Sequence, residues 1–215
     1  MERLLCLLIG YGFGLFQTAY IYGRMKGIDI RKHGSGNAGT TNALRTLGKK
    51  AGAIVLLGDI IKCMLAIFVC EWLFGQSHPE IIYLVKIYAA AGAILGHNFP
   101  FYLGFKGGKG IAATGGLVFA FNPWFIPVGV GLFFGNFFIT HYVSLGSLLV
   151  YLGFFAQMIL MGQSGFFGME TAYLYEMYFV TLLLLIMAFY KHRDNIGRLL
   201  KGTERKTYLL RKNKG

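Results

Sequence analysis

IAATGGLVFAFNPWFIPVGVGLFFGNFFI, residues 111–139, carries 29 residues without one charge, and its reading decides the fold. A helix crossing the roughly 30 Å hydrocarbon core needs about 20 residues. The run is therefore long for one upright crossing, and Asn122-Pro123, with Pro127 beyond, interrupts it. Proline removes a helical hydrogen bond and clashes with the preceding turn, so the break predicts two short helices, 111–121 and 125–139. Such a break is tolerated at membrane depth where the freed backbone is buried in protein.

Working outward, residues 3–23, 51–74 and 81–104 precede this stretch and 143–161 and 173–190 follow it, each apolar and about the length of a span. Lys and Arg in short connectors stay on the cytoplasmic side. The connectors 75–80 (GQSHPE) and 162–172 contain neither and are expected outside. That places the N-terminus outside, and residues 24–50, Lys106, Lys109 and the tail from Lys191 inside. An even number of crossings must then separate residues 110 and 191. Two short helices in 111–139 keep that parity and one does not; they also put the Thr140-His141-Tyr142 connector on the cytoplasmic face. The expected fold is all-α: a polytopic membrane bundle of about seven transmembrane helices, two of them short, with a cytoplasmic C-terminus. No composition break or internal repeat divides the chain, so 1–215 reads as a single domain.

Composition agrees: 55% hydrophobic, 16% aromatic and 14% charged residues lie outside the range of soluble domains. The net charge of +12 is concentrated, with 18 of the 21 Lys and Arg in segments 24–50, 105–110 and 191–215. Because these islands flank apolar spans, anionic headgroups and phosphorylated substrates, not nucleic acid, are the expected counterions. Cys6, Cys63 and Cys70 show no metal-binding or disulfide spacing and read as core residues. The run from Leu4 to Tyr22 lacks a basic leader and a cleavage site, so it reads as a span rather than a signal peptide.

The islands hold the chemistry. In HGSGNAGTTNALR (33–45), Gly34, Ser35, Gly36 and Gly39 let backbone N–H groups converge, while Asn37, Thr40, Thr41 and Asn42 add side-chain hydrogen bonds. A helix opening at Thr40 or Thr41 would favour a phosphate at its N-terminus. Arg45, one turn on, can close over the same anion. A solvated polar loop with a helix cap is the plainer reading of this segment. GHNFPFYLGFKGGKGIAATGG (96–116) sets Lys106 and Lys109 around Gly107, Gly108 and Gly110, just before a helix carrying Thr114. Lysines at a span end often only anchor to headgroups, but an anchor needs no flanking glycines. In KHRDNIGRLLKGTERK (191–206), His192, Asn195 and Arg198 share one helical face, suited to a hydroxyl and a phosphate together. Arg205 and Lys206 read more simply as stop charges. Asp59 and Lys62 lie inside a span at i, i+3 and allow an intrahelical pair of structural or catalytic use; Lys86 and Glu71 sit nearer span ends and read as interfacial.

The chain has no H-x4-D acyltransferase motif, no nucleophile elbow and no metal-binding carboxylate cluster. A transferase built this way needs a substrate that is already activated, and it works by positioning and charge stabilisation. SGNAGTTNALR (35–45), GHNFPFYLGFKGGKGIAAT (96–114) and HRDNIGRLLKGTE (192–204), in this order and spacing, resemble the signature segments of the bacterial acyl-phosphate:glycerol-3-phosphate acyltransferases. Asp59-x-x-Lys62 and YVSLGS (142–147) resemble that family as well.

The resemblance implies transfer of a fatty acyl group from acyl phosphate to the 1-hydroxyl of glycerol 3-phosphate. Lysophosphatidic acid and phosphate are the products, in the first step of phospholipid synthesis, without cofactor or metal. A separate acyl-carrier-protein-dependent phosphate acyltransferase would supply the donor, and the site would face the cytoplasm of a bacterial cell membrane. By the same likeness, Ser35, Asn37, Thr41, Asn42 and Arg45, with Gly36 and Gly39, form part of a phosphate cradle. Lys106 and Lys109 with Gly107, Gly108 and Gly110 hold phosphate charge beside Thr114, Ser144 donates to the acyl phosphate, and His192, Asn195 and Arg198 take glycerol 3-phosphate. Of these, Ser35, Arg45, Lys109, Ser144, His192 and Asn195 are the catalytic candidates. Two departures stand out: Cys63 replaces an expected Gly, implying looser packing there, and His141 replaces a more usual Arg. An anion transporter would need a polar stripe through the outer half of the spans. A CDP-linked headgroup transferase would need a cluster of membrane aspartates, and only Asp59 is available.

Overall fold

The computed structural model describes residues 1–208 and contains ten α-helices and no strand among them; Arg211, Lys212 and Lys214 of the third basic island lie outside the described residues. The helices are α1 (Glu2–Gly14), α2 (Thr18–Met25), α3 (Thr40–Leu47), α4 (Lys49–Phe74), α5 (Ile82–Asn98), α6 (Ile111–Phe121), α7 (Phe125–Thr140), α8 (Val143–Gln163), α9 (Thr171–Lys191) and α10 (Arg193–Leu200). Five helical segments are long and apolar enough to cross a membrane: Glu2–Met25, Lys49–Phe74, Pro79–Leu103, Val143–Gln163 and Thr171–Lys191. Along α4, the exposed side chains Leu57, Ile61, Leu65, Phe68 and Trp72 form a continuous apolar stripe of the kind a bilayer covers.

The uncharged run 111–139 forms two helices. α6 stops at Phe121, Asn122 takes an extended conformation, and its Oδ1 accepts the Trp124 N–H at 3.1 Å before α7 begins. Pro127 falls in the first turn of α7, where its missing N–H costs nothing. The first apolar run is not the uninterrupted helix its hydropathy predicts: it breaks between Gly14 and Thr18. Fully buried Gln17 sits at the break, and its Nε2 lies 3.1 Å from each of the Gly14, Gly96 and His97 carbonyls. A side-chain amide thus takes one carbonyl that the interrupted helix releases and joins it to two from the last turn of α5.

Below that break α1 and α5 pack backbone to backbone. Gly10 and Gly14 face Ala89, Ala93 and Gly96, and any Cβ at Gly92 would collide with the Leu7 carbonyl. Gly-x3-Gly spacing on both helices creates this close approach. At the C-terminal end of α6, Phe121, Phe125, Phe154 and Phe167 build an aromatic core with Tyr83, which leaves the N-terminal end of α6 for the site. Cys63 does not loosen the bundle. It is fully buried, and Gly116 on α6 provides the space it fills. Lys86 and Glu71 pair with each other at 2.9 Å.

Candidate active site at one end of the bundle

A cavity of about 490 Å³ opens where the first turns of α3, α6 and α8 meet α10 and the segment that follows it. Its wall includes Ser35, Gly36, Asn37, Gly39, Thr40, Thr41, Asn42, Arg45, Lys109, Gly110, Ser144, His192, Asn195 and Arg198. The three basic, glycine-rich segments therefore converge on one site, although they lie far apart in the chain.

The first segment is organised by Asn42, which is buried at the start of α3. Its Oδ1 accepts the Ser35 N–H at 2.9 Å, and its Nδ2 reaches the carbonyls of Ile30, His33 and Asn37 at 3.0–3.1 Å. Asn42 thereby shapes the loop and has no free donor for a ligand. Gly36 likewise spends its N–H on the His33 carbonyl, so the Ser35 and Gly36 amides do not form an open nest. The groups left facing the cavity are the side chains of Ser35, Asn37, Thr40 and Thr41, and Thr40 Oγ1 is buried without a partner among the described residues. Arg45 Nη2 donates to Thr207 Oγ1 at 2.7 Å and to the Arg205 carbonyl at 3.2 Å.

Of the second segment's predicted binding residues Lys106, Gly107, Gly108, Lys109, Gly110 and Thr114, only Lys109 and Gly110 reach the cavity. Lys106 is exposed. The N–H groups of Gly107 and Gly108 are turned to the Asn98 and His97 carbonyls, so this loop is not a backbone nest either. Gly108 is needed for another reason: a Cβ there would land on His97 Nε2. Gly110 has φ +85° as it enters α6, a conformation that favours glycine. Thr114 is buried one turn on, where its Oγ1 donates to the Gly110 carbonyl at 2.9 Å and pairs with Tyr151 Oη; it steadies the helix start outside the cavity. Lys109 Nζ donates to Asn195 Oδ1. Burial, reinforced by nearby Arg198, lowers the Lys109 pKa from its usual value.

The third segment caps and forms α10. His192 Nδ1 lies 2.8 Å from the Ala188 carbonyl. A carbonyl only accepts, so Nδ1 carries the ring proton and Nε2 is left as an acceptor. Burial pushes the imidazole down to about 4, so the ring is neutral at neutral pH. Beyond α10 the chain returns to the cavity with Glu204, whose carboxylate accepts from Ser144 Oγ at 2.9 Å, Asn195 Nδ2 at 2.6 Å and Arg198 Nε at 2.7 Å. Burial opposes ionisation of Glu204, but those three bonds outweigh it and hold the carboxyl below its usual value. Glu204 was absent from the sequence-based candidates. Its one signal is an acid set among Lys201, Arg205 and Lys206, which by itself reads as surface charge balance.

Asp59, read from the sequence as half of an ion pair of structural or catalytic use, closes the floor together with His97, which the sequence reading did not propose. Lys62 Nζ sits 2.7 Å from Asp59 Oδ1, 2.8 Å from the Phe16 carbonyl and 2.8 Å from His97 Nδ1. Thr18 Oγ1 adds a bond to the same Oδ1 at 3.0 Å. Asp59 Oδ2 is buried and has no partner among the described residues. A buried acceptor left unsatisfied costs about 1–3 kcal/mol.

A bundle of helices long and apolar enough to cross a membrane thus carries, at one end, a hydroxyl-lined cavity holding Arg45, Lys109 and Arg198. The chain matches the glycerol-3-phosphate acyltransferase family over residues 4–202. It is 40% identical over 208 residues to a glycerol-3-phosphate acyltransferase of Alkaliphilus metalliredigens (strain QYMF), covering 96% of each chain. It is 39% identical over 203 residues to that of Bacillus subtilis (strain 168), covering 94% of this chain and 96% of the relative. Its fold is similar to the crystal structure of PlsY (YgiH), an integral membrane glycerol 3-phosphate acyltransferase. With the glycerol 3-phosphate form the TM-score is 0.81 at 30% identity, covering 98% of both chains. With the lysophosphatidic acid form the TM-score is 0.78 at 30% identity, covering 98% of this chain and 97% of that one. The chain belongs to the glycerol-3-phosphate acyltransferase family.

Proposed function

We propose that this integral membrane acyltransferase moves a fatty acyl group from acyl phosphate to the 1-hydroxyl of glycerol 3-phosphate. The products are lysophosphatidic acid and inorganic phosphate, in the first step of phospholipid synthesis. One observation carries the reading. Lys109, Arg45 and Arg198 surround a cavity that also holds a neutral histidine with a free acceptor nitrogen. Cations suit the two substrate phosphates, and the imidazole suits the attacking hydroxyl.

The 1-hydroxyl oxygen bonds to the acyl carbonyl carbon as the bond from that carbon to the phosphate oxygen breaks. The attack is direct, so no covalent acyl-enzyme forms, and the hydroxyl proton passes to the departing phosphate. As the acceptor binds, His192 Nε2 orients the 1-hydroxyl by accepting its hydrogen bond, and that proton turns to the phosphate oxygen as the new bond forms. Lys109 stabilises charge on the leaving phosphate, Ser144 donates to the acyl phosphate, and Ser35 and Thr41 contribute to the phosphate cradle. No cofactor or metal enters. In this reading residues 1–215 act as one catalytic unit in a bacterial cell membrane, with the cavity facing the cytoplasm. A separate phosphate acyltransferase acting on acyl carrier protein supplies the donor.

The test is phosphate release by purified protein in lipid, given acyl phosphate with and without glycerol 3-phosphate. Release that requires both substrates and yields lysophosphatidic acid is expected. Turnover with acyl-CoA or acyl carrier protein but not with acyl phosphate would overturn the assignment of the donor.

A further inference from the structure

We propose that Asp59 Oδ2, on the cavity floor, accepts a hydrogen bond from the secondary hydroxyl of the glycerol phosphate acceptor and so selects that substrate. The inference rests on the acyl transfer proposed above. Asp59 is 1% exposed, yet only one of its carboxylate oxygens is used. Oδ1 takes both Lys62 and Thr18, so the ion pair uses one carboxylate oxygen and leaves the other out. Oδ2 is buried and without a donor, on a residue that lines the site. Buried polar atoms in native proteins almost always find partners, so an orphan on a ligand cavity points to a ligand group.

The group it needs must carry a proton to donate and must not be an anion. A phosphate is excluded, because a carboxylate repels it. A hydroxyl fits, and His97 beside it strengthens the match. With Nδ1 accepting from Lys62, its proton sits on Nε2, available to a ligand oxygen at the same floor. A hydroxyl both donates and accepts, as this pair requires. The two ends of the acceptor are thereby sorted, with phosphate toward Arg45, Lys109 and Arg198 and hydroxyl toward Asp59. The reacting 1-hydroxyl is already engaged by His192 Nε2 and the acyl phosphate. The hydroxyl left for Asp59 is the secondary one.

The experiment compares glycerol 3-phosphate with 3-hydroxypropyl phosphate, which keeps the reacting hydroxyl and lacks the secondary one. Wild-type protein should use the analogue with kcat/KM lower by at least about tenfold, mainly through KM, because the orphan oxygen stays unpaired. In Asp59→Asn that ratio should shrink to about threefold or less, since the carboxylate that rewards the hydroxyl is gone. Should Asp59→Asn fold poorly with Lys62 unpaired, Asp59→Asn/Lys62→Gln removes the charge pair together and carries the same ratio test. Equal use of the two acceptors by wild-type protein overturns the inference without any variant, and so does an unchanged ratio in a folded variant. No acylation of glycerol 3-phosphate by wild-type protein would instead overturn the proposed function.

Discussion

With Nδ1 of His192 fixed on the Ala188 carbonyl, the other ring nitrogen is an acceptor at neutral pH, and two predictions follow from that state. If the acyl phosphate takes the proton, the imidazole orients rather than ionises. His192→Ala should then lose about 10- to 100-fold in kcat, below the 10²–10⁴ typical of a true general base. A folded variant with no measurable turnover would return the proton to His192. The second prediction concerns stability. Below pH 6.5 the unfolded chain takes up a proton that the buried ring refuses until about pH 4. Stability should therefore be full above pH 6.5 and fall by roughly 3 kcal/mol as the pH drops to about 4. Asp29, lowered to about 2 by the Arg31 hydrogen bond, and Glu204 lose their contributions below their own unfolded values of 3.8 and 4.5. The window from pH 6.5 to 4.5 lies above both carboxylate values, and within it the difference between wild type and His192→Asn isolates this ring. Denaturation midpoints should slope across it in wild type and less steeply in His192→Asn; equal slopes in the two proteins would contradict the assignment.

At the level of elements, residues 203–208 tie the site together after α10. Glu204 holds Ser144 at the start of α8 and both Asn195 and Arg198 on α10, while Thr207 receives Arg45 from α3 and donates its N–H to the His141 carbonyl at the end of α7. Glu204→Ala would leave Asn195 and Ser144 without their acceptor, a cost of about 2–3 kcal/mol after discounting half-exposed Arg198. Thermal denaturation should show that loss, and Glu204→Gln should recover part of it by keeping an acceptor. Equal melting of wild type and Glu204→Ala would show that the strap carries no stability. The strap also marks where sequence reading ends. Spans were legible because a hydropathy run, its charged flanks and a Pro break are local signals. The Gln17 break was not, since one amide barely changes the hydropathy of Leu4–Tyr22 and its three carbonyl partners include two from α5. Asn42, Gly107 and Gly108 have the composition of an anion nest, but their hydrogen bonds go to the protein's own backbone. Only the tertiary contacts reveal that difference.

Across the whole molecule, the charge asymmetry makes a claim about topology that helix lengths alone cannot make. The basic residues of segment 24–50, Lys109 and the tail lie at the cavity end, whereas connectors 75–80 and 162–172 contain no Lys or Arg. Basic residues near span ends resist translocation, so the cavity end should face the cytoplasm. The native cysteines Cys6, Cys63 and Cys70 are all buried, which leaves a silent background for cysteine labelling. Exposed single-cysteine probes can then be placed at Ser77 and Ser164 on one side, and at Lys50 and Lys201 on the other. In intact cells a membrane-impermeant maleimide should label Ser77→Cys and Ser164→Cys and spare Lys50→Cys and Lys201→Cys until the membrane is permeabilised. Labelling of all four in intact cells would mean that the cells leak. A reversed pattern would place the cavity outside. Labelling that divides Lys50→Cys from Lys201→Cys would break the parity that two helices in 111–139 preserve, and that segment would then have to cross the membrane an odd number of times.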